Sequence, residues 1–293
     1  MTARPQRILI TGATAGIGKH STLELLRRGH HVIATGRRPA ALAALASEAT
    51  AAGLATHLMT VVLDVDSAAS LDAAVAAVEA HTAGAGLDVL VNNAGYATAG
   101  PLIELDDATV RAQFETNVFG LLRVTRAFGR TMIAAGRGRI VNIGSVSGRI
   151  PAPMLGAYHA SKYALEAISD ALRMELRPFG IDVVIIEPGT IRTEFASRVI
   201  AEADAARPAG SRYSAVYARQ AELAARFDRL ASGPAPVTRA LIRAVEARRP
   251  RARVVAPRRF VLMIGLVKLL PVCWVDWLMR RIAGLDRLAA TAS

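Results

Sequence analysis

Short apolar runs alternate with alanine-rich stretches along most of the chain. The apolar runs have strand length and are nearly continuous, which is typical of strands covered on both faces of a parallel sheet. The alanine-rich stretches have helical length, so the alternation predicts a series of βαβ units. Seven strands are expected, in the segments RILITG, HVIATG, HLMTVVLDV, DVLVNNAG, RIVNIGS, DVVIIEPG and RARVVA.

This pattern predicts an α/β fold, namely a Rossmann-like doubly wound parallel sheet of about seven strands flanked by helices. Helices are expected from Ile17 to Arg28, where Gly29 provides the stop, and from Ser67 to Ala83. Both lie between predicted strands, as the crossovers of a parallel sheet must.

The sheet pattern weakens after Thr190. Residues 194–235 are polar and alanine-rich, and we expect a helical insertion that ends at the loop breaker SGPAP. An insertion after a late strand lies above the carboxyl ends of the strands, where ligands bind in doubly wound sheets. We therefore expect a single catalytic domain at residues 1–257, with a substrate-loop insertion at 194–235, and a helical extension at 258–293.

Composition and charge narrow the class of protein. Of the 293 residues, 52% are hydrophobic and 20% are charged, which predicts a folded chain. The net charge of +12 could attract nucleic acid, anionic lipid or a phosphorylated cofactor. Zinc-ligand spacings and a basic helix leading into heptads are both missing from the sequence, so we expect neither nucleic-acid binding nor a metal site. Cys273 is the only cysteine, which excludes an internal disulfide and makes a cytoplasmic location the expectation.

A glycine-rich segment, ITGATAGIG, joins the first predicted strand to the first predicted helix and contains Gly12, Gly16 and Gly18. Glycine lets the backbone approach a diphosphate, and a helix N-terminus presents free N–H groups and a partial positive charge. A tight turn alone would also need glycine. The position between a strand and a helix favours a dinucleotide cofactor.

The end of the second strand, ATGRR, bears on the choice between NAD and NADP. An acidic residue here would hold the ribose hydroxyls of NAD, whereas Arg37 and Arg38 can bind a 2′-phosphate. Two arginines that simply face water are the alternative. We expect NADP(H), with NAD(H) as the second choice.

The segment YHASK places Tyr158 and Lys162 four positions apart, so the two side chains share one face of a helix. An unperturbed phenol is a poor base at neutral pH, and a nearby ammonium lowers its pKa. Ser145 ends a predicted strand, where its hydroxyl could hydrogen-bond a substrate oxygen. An ordinary amphipathic helix explains the tyrosine and lysine alone, but it does not explain their combination with the other motifs.

Taken in order over about residues 7–193, the motifs resemble those of the short-chain dehydrogenase/reductase family, and more weakly its hydroxysteroid and retinol dehydrogenase branch. The resemblance rests on TGATAGIG, on LDV with Asp64, on NNAG from Asn92 to Gly95, on Asn117, Ser145, Tyr158 and Lys162, and on EPGTIRT from Glu187 to Thr193.

The resemblance implies a role for each catalytic candidate. Tyr158 would be the general acid/base, and Ser145 would polarise the substrate oxygen. Lys162 would lower the pKa of Tyr158 and hold the nicotinamide ribose. Asn117 would order a water that passes protons from Lys162 to solvent.

Further residues are expected at the cofactor. Asp64 and Val65 would contact the adenine, although Asp64 could instead cap a helix, and Asn92 could instead tie strands together. Besides Tyr158 and Lys162, the full set is Gly12, Thr14, Ala15, Gly16, Ile17, Gly18, Arg37, Arg38, Asp64, Val65, Asn92, Ala94, Gly95, Pro188, Gly189, Ile191 and Thr193.

The predicted substrate wall is apolar. Besides Ser145 and Tyr158 it comprises Ile150, Met154, Leu155 and Phe195. Such a wall suits a hydrophobic ketone, aldehyde or secondary alcohol, for example a steroid, a retinoid or a long-chain carbonyl. The family resemblance also implies a homodimer or homotetramer, through the helices around Asn117 and Tyr158.

Residues 258–281, RRFVLMIGLVKLLPVCWVDWLMRR, form the most unusual segment. Its apolar part is about long enough to span a bilayer, but Lys268, Pro271 and Asp276 interrupt it. One or two amphipathic helices that lie on a membrane surface or cap the pocket are the first expectation. A core or subunit-interface helix is the second, and a membrane span is the third.

Two other functions remain open. A sugar-nucleotide epimerase or dehydratase shares the sheet and a YxxxK pair, but it usually needs a larger C-terminal domain than this chain offers. A non-catalytic nucleotide sensor or interaction protein could keep the fold, although the fold alone would not require Asn117, Ser145, Tyr158 and Lys162 together.

Overall fold

A seven-stranded parallel sheet is the centre of the computed structural model, which describes residues 4–286 and 288 apart from the side chains at 221, 227, 228 and 230. The strands are Arg7–Ile10 (β1), His31–Gly36 (β2), Leu58–Val62 (β3), Val89–Asn92 (β4), Gly138–Ile143 (β5), Ile181–Pro188 (β6) and Arg253–Ala256 (β7). Their order across the sheet is β3-β2-β1-β4-β5-β6-β7. The predicted fold class is confirmed, and each strand lies within one residue of a predicted segment.

Helices connect the strands and extend beyond the last one. They are Gly16–Arg27 (α1), Pro39–Ala51 (α2), Ala68–Thr82 (α3), Asp107–Phe114 (α4), Leu121–Ala135 (α5), Gly156–Leu176 (α6), Glu194–Ala205 (α7), Ser214–Leu230 (α8), Ala235–Glu246 (α9), Arg259–Leu269 (α10) and Val272–Ala283 (α11). A π-helical turn, Glu115–Gly120, joins α4 to α5. The two helices predicted by residue number, α1 and α3, are confirmed, and Gly29 stops α1 in the left-handed region with φ of 81°.

The sheet separates two apolar cores, which explains why its strands are apolar on both faces. On one side, α1, α2 and α9 pack on the sheet through residues such as Leu25, Leu45 and Leu241. On the other side, α3 and α5 pack through residues such as Val78 and Phe128. Alternate residues of each central strand supply the two cores, as the twofold periodicity of a strand requires.

The strand order reverses between β1 and β4, which run side by side although they are not consecutive. In doubly wound sheets, a ligand crevice opens at this point beyond the carboxyl ends of the strands. The loops after β1, β4, β5 and β6 all reach this edge. They contain Ser145 and many of the residues predicted to bind the cofactor and the substrate.

The predicted insertion after β6 forms α7 and α8, and the breaker SGPAP follows α8 and runs into the first turn of α9. Beyond β7, the unusual segment forms two short helices, α10 and α11, separated at Leu270 and Pro271. Among the described residues, no helix combines the length and the apolar character needed to cross a membrane.

Candidate active site

Only glycine fits at the three predicted positions, which lie in the turn after β1 and in the first turn of α1. Gly12 and Gly16 have φ of 63° and 51°, in the left-handed region that other residues avoid. Gly18 has an ordinary helical conformation but no room: a Cβ there would lie 2.3 Å from the carbonyl oxygen of Gly12 and 2.6 Å from Nδ2 of Asn93. The turn is tight, as the structural interpretation of the glycines requires, and the contact of their backbone with a cofactor stays a prediction.

The first turn of α1 has no side chain that competes with an anion. Ala15 is the N-cap and makes no side-chain cap, and the first turn contains no acidic residue. The unpaired N–H groups and the positive end of the helix therefore face the crevice, which fits a phosphate group. Ile17 packs its side chain against the core, so only its backbone is available to a ligand.

Two residues that the sequence interpretation did not single out hold this loop in place. The Thr11 hydroxyl accepts hydrogen bonds from the backbone N–H groups of Asn93 and Ala94, both at 2.9 Å. In return, Nδ2 of Asn93 donates to the carbonyl oxygens of Thr11 at 2.9 Å and Gly12 at 3.0 Å. The motifs TG and NNAG contain both residues, but only the pairing of β1 with β4 shows that they meet.

The Asn92 side chain is bonded within the protein, and its predicted contact with the cofactor stays a prediction. Asn92 is 3% exposed, and its Nδ2 donates to Oγ1 of Thr125 and Oδ1 of Asn142, both at 2.9 Å. The side chain thus ties β4 to β5 and α5 beneath the crevice, which was the alternative interpretation. Its neighbours Ala94 and Gly95 do lie at the crevice, and Gly95 is exposed.

The predicted catalytic side chains meet at the carboxyl end of β5. Ser145 is buried just beyond the strand, and its Oγ accepts a hydrogen bond from the backbone N–H of Ser147 at 3.0 Å. The Tyr158 hydroxyl, from the first turn of α6, hydrogen-bonds to Ser145. One turn later, the Lys162 Nζ lies 5.9 Å from the centroid of the Tyr158 ring and donates to the Ile143 carbonyl at 2.9 Å. The α6 spacing therefore does bring the phenol, the hydroxyl and the ammonium together.

Burial changes the pKa values of both groups. Burial raises the pKa of the Tyr158 phenol, and the hydrogen bond to Ser145 opposes that rise. The sequence predicts that Lys162 lowers the pKa of Tyr158. In the chain alone, desolvation of the Tyr158 phenol dominates instead and raises its pKa. Burial also lowers the pKa of Lys162 from 10.5 to about 8, against the raising effect of the Glu166 charge. At neutral pH the phenol is protonated, which is the state needed to donate a proton.

Asn117 lies in the π-helical turn between α4 and α5 and holds the loop after β4 against α6. Its Nδ2 donates to the Tyr96 carbonyl and to the Ser161 hydroxyl, both at 3.0 Å, and its Oδ1 accepts from the Tyr96 N–H at 3.1 Å. The Ser161 hydroxyl donates in turn to the Tyr158 carbonyl at 2.7 Å. Such π-turns are frequent at functional sites. This one couples the loop at Gly95 to the helix that carries the tyrosine.

A comparison with known families identifies the chain. The short chain dehydrogenase family matches residues 6–204. The chain belongs to this family.

Similar proteins of other organisms support the assignment of this chain to the short-chain dehydrogenases. It is 45% identical to the uncharacterized oxidoreductase YbbO of Escherichia coli K12 over 192 residues, which are 66% of this chain and 68% of the relative. It is 37% identical to the 3-ketodihydrosphingosine reductase of Bacteroides thetaiotaomicron over 66% of each chain. It is 31% identical to the NADPH-dependent 3-dehydrocapnine reductase of Ornithobacterium rhinotracheale over 86% of this chain and 89% of the relative.

A solved structure agrees with the fold. A short-chain dehydrogenase from Streptomyces avermitilis superposes with a TM-score of 0.73 over the whole of both chains at 27% identity. The arrangement of sheet and helices is therefore that of a solved short-chain dehydrogenase.

The adenine side of the crevice contains the other predicted cofactor residues. Arg37 and Arg38 follow β2 and are exposed, and neither makes an ion pair within the described part of the chain. Asp64 does not cap α3, because Ser67 is the N-cap; Oδ1 of Asp64 instead accepts from the Asp66 N–H at 3.1 Å. Val65 is buried, close to Gly120.

The loop after β6 approaches the glycine loop from the opposite side. Gly189 donates its N–H to the Ala256 carbonyl at 2.9 Å, and the ring of Phe260 lies directly on it. Thr193 caps α7, and its methyl group would lie 3.3 Å from a Cβ at Gly16. Pro188, which ends β6, and Ile191 lie in the same stretch. This stretch thus forms one wall of the crevice.

The predicted substrate residues divide into two groups. Phe195 is 40% exposed, and its ring centroid lies 5.9 Å from that of Tyr158, so it borders the reaction site. Ile150 is buried, and Met154 packs with Val216 and other residues beneath α7 and α8. Leu155 packs partly against the same cluster. Met154 and Leu155 therefore support the α7–α8 cover, and Phe195 is the side chain that faces the tyrosine.

The crevice fits a nicotinamide dinucleotide. Gly12 and Gly18 lie so close to their neighbours that no side chain fits, the N-terminus of α1 has no side-chain cap, and two cations follow β2. Glycines, N–H groups and arginines in these places are the donor set that phosphates require.

Proposed function

We propose that this short-chain dehydrogenase is an NADP(H)-dependent oxidoreductase that interconverts a hydrophobic ketone or aldehyde and its alcohol. The observation that carries the proposal is the meeting of Tyr158, Ser145 and Lys162 at the end of β5, beside a glycine loop that fits a dinucleotide. A protein that only sensed a nucleotide would need the loop but not this trio.

In the reductive direction, bound NADPH would supply a hydride to the carbonyl carbon of the substrate. The Ser145 hydroxyl donates a hydrogen bond to the substrate oxygen and polarises the carbonyl. Tyr158 donates its phenolic proton to that oxygen, and Lys162 holds the nicotinamide ribose and stabilises the phenolate that remains. We further propose that a water ordered by Asn117 returns the proton through Lys162. Oxidation of an alcohol uses the same groups in reverse.

The choice of NADP(H) over NAD(H) is supported by Arg37 and Arg38. Both are exposed at the carboxyl end of β2, where a dinucleotide-binding sheet places the ribose of the adenosine. A guanidinium there binds a 2′-phosphate bidentately, whereas an acidic residue would bind the free hydroxyls of NAD. One relative is named as NADPH-dependent.

The proposed substrate is an apolar carbonyl compound or alcohol. Phe195 borders Tyr158, and the cover above it is built from apolar side chains of α7 and α8 with Met154 beneath. An apolar wall with few polar anchors binds through burial of hydrocarbon. One relative is named a 3-ketodihydrosphingosine reductase, and the substrate in that name is a sphingoid ketone. Another is named an NADPH-dependent 3-dehydrocapnine reductase.

We also propose a cytoplasmic homodimer or homotetramer that contacts a membrane peripherally through its C-terminal segment. The expected subunit interface lies along the π-turn and α6, where Phe119, Tyr163 and Met174 expose large apolar side chains. Exposed patches of this kind mark association surfaces. Light scattering of the purified chain measures the subunit count, and a Met174→Glu variant that stays oligomeric contradicts this interface.

The proposed activity is tested by a cofactor and substrate screen. NADPH and NADH are each titrated by fluorescence, and their oxidation is then followed with steroids, retinoids, sphingoid ketones and medium-chain carbonyls. We expect tighter binding of NADPH and its oxidation by long apolar ketones. Binding of NADPH with no turnover on any carbonyl contradicts the catalytic proposal and favours a sensor. Turnover of nucleotide sugars alone would favour an epimerase or dehydratase.

A further inference from the structure

The segment that contains the two last helices exposes an unusual number of large apolar side chains. Among the residues whose side chains are described, twenty large apolar side chains are exposed, and eleven of these lie between residues 261 and 282. They include Leu269 at the end of α10, Val272 at the start of α11, and both tryptophans. A soluble surface rarely leaves so many together, so this surface of α10 and α11 has a partner.

Both ends of this pair of helices are fixed to the body of the protein. At the start of α10, the Phe260 ring lies on Gly189, and Ile264 is buried. At the end of α11, Ala283 is buried, and beyond this helix Leu285 and Leu288 pack with the apolar cluster between α7 and α8. The inward side chains thus anchor the helices, and the outward ones remain in solvent. The exposed surface is a fixed feature rather than a frayed end.

The charges around this surface are basic. Residues 258–281 contain five cations and one acidic residue, Asp276, and all five cations are exposed. Basic pairs flank the segment at its two ends, and Lys268 lies between them. A basic residue close to an anionic bilayer is attracted to its surface. The charge pattern therefore complements an anionic lipid surface.

The two tryptophans occupy positions typical of a membrane interface. Trp274 and Trp277 are 64% and 51% exposed on α11, and Arg281 lies over the Trp277 ring at 5.5 Å. Tryptophan favours the boundary between lipid headgroups and acyl chains because its ring is apolar and its N–H is polar. The two short helices α10 and α11 thus expose both apolar and basic side chains.

We infer that α10 and α11 lie flat in the interface of an anionic bilayer, with their apolar side chains among the lipids and their basic residues at the headgroups. A second copy of the chain fits this surface less well. A twofold contact would place the same surface against itself, and it would bring five cations of one copy close to five of the other. The lipid surface supplies the opposite charge instead.

The docked helices would lie beside the entrance to the active site. Phe260 joins α10 to the loop that follows β6, and Leu285 joins the chain after α11 to the cover formed by α7 and α8. An apolar substrate could therefore enter from the bilayer without crossing water. This consequence rests on the proposed catalytic activity, whereas the docking itself does not.

Intrinsic fluorescence tests the docking directly, because Trp274 and Trp277 are the only tryptophans of the chain. The full chain is mixed with vesicles of phosphatidylcholine alone and with vesicles that contain about one third phosphatidylglycerol. We expect a blue shift of the tryptophan emission and co-sedimentation with the anionic vesicles. An unchanged emission spectrum, or equal binding to both kinds of vesicle, contradicts the inference.

Matched variants separate local docking from the general effect of a net charge of +12. Arg280→Glu/Arg281→Glu and Arg248→Glu/Arg249→Glu remove the same charge, but only the first pair lies on the docking surface. We expect the first variant to lose at least about tenfold in vesicle affinity and the second to lose much less. Equal losses contradict a local site.

An apolar pair of variants provides a second test. Trp274→Glu is compared with Phe179→Glu, which changes an exposed aromatic residue at the other end of the sheet. We expect only the first to lose vesicle binding. If Trp274→Glu instead converts a larger oligomer to a smaller one and wild-type protein ignores vesicles, a second copy covers the surface and the inference is overturned. Turnover of a water-soluble ketone without vesicles is measured in parallel, so a failure of the catalytic proposal remains distinguishable.

Discussion

Glu166 lies one helical turn beyond Lys162 on α6, and its charge raises the lysine pKa that burial lowers. Glu166 is itself 8% exposed, and its Oε2 accepts hydrogen bonds from Nε and Nη2 of Arg253 at 3.1 and 2.8 Å. The buried Glu187 lies in the same cluster, where Arg253 and Arg149 pair with it. Lys162, the proposed catalytic lysine, is thus connected to a buried group of acids and arginines that the motifs did not reveal.

The ionisation of Glu166 should make the stability of the protein depend on pH. Burial and the charge of Glu187 raise the pKa of Glu166 from 4.5 to about 7, so the folded chain binds this proton more tightly than the unfolded chain. Stability is therefore lost as the pH rises from about 4.5 to about 7, by on the order of 3 kcal/mol. Glu166→Gln should remove this loss, because glutamine does not ionise.

The measurement is the free energy of unfolding of Glu166→Gln and wild type at about pH 5 and about pH 7.5. The variant should gain relative to wild type at the higher pH. Glu175→Gln, an exposed change on the same helix, is the control and should follow wild type at both values. Parallel pH dependences of all three proteins would contradict the assignment of the titration to Glu166.

The glycine loop gives the second prediction. A Cβ at Gly18 would overlap the Gly12 carbonyl, so Gly18→Ala must displace backbone and should cost about 1–3 kcal/mol of stability and weaken NADPH binding. Gly129→Ala is the matched control: no atom lies within 4 Å of its Cβ, and alanine favours the helix by about 1 kcal/mol. Thermal melts and NADPH titrations measure both effects. Wild-type affinity in a stable Gly18→Ala protein contradicts the close approach.

Asn92 and Asn93 are adjacent, but their replacement by alanine should change different properties: mainly stability for Asn92 and mainly NADPH affinity for Asn93. Asn92→Ala removes the hydrogen bonds that Oγ1 of Thr125 and Oδ1 of Asn142 accept from Nδ2 of Asn92, which should cost about 2 kcal/mol or more of stability while NADPH affinity is kept. Asn93→Ala frees the glycine loop and should weaken NADPH binding with a smaller loss of stability. If Asn92→Ala instead weakens NADPH binding in a protein of normal stability, its side chain does contact the cofactor.

The sequence patterns predicted the strands well because each strand is apolar on both faces and is bounded by glycine or polar turns. They also predicted that Tyr158 and Lys162 share a helix face, since the helical repeat sets that relation. The spacing of Tyr158 and Lys162 could not predict the direction of the shift in the Tyr158 pKa, because spacing shows that two groups are close and not that they are buried. The Glu166, Glu187 and Arg253 cluster was missed for a related reason: it joins α6, β6 and β7, which are distant in the chain.

Cofactor preference provides a prediction at a single exposed residue. Arg37→Asp should lower kcat/KM with NADPH by about 10- to 100-fold and leave or improve kcat/KM with NADH, because a charge-assisted bidentate contact is replaced by repulsion. Arg248→Asp removes an exposed arginine at the amino end of the sheet and serves as the control for net charge. An unchanged ratio of the two cofactors in Arg37→Asp would remove the argument for NADP(H).

The central claim is that the Tyr158 phenol donates the proton while Ser145 and Lys162 hold the reacting groups. Tyr158→Phe keeps the ring beside Lys162 and Phe195 and removes only the hydroxyl. The decisive measurement is the rate of NADPH oxidation by the best ketone of the screen, together with the NADPH dissociation constant. The account predicts a loss of about two to four orders of magnitude in kcat with nearly unchanged NADPH binding. Turnover close to wild type in a variant that binds NADPH normally would contradict it.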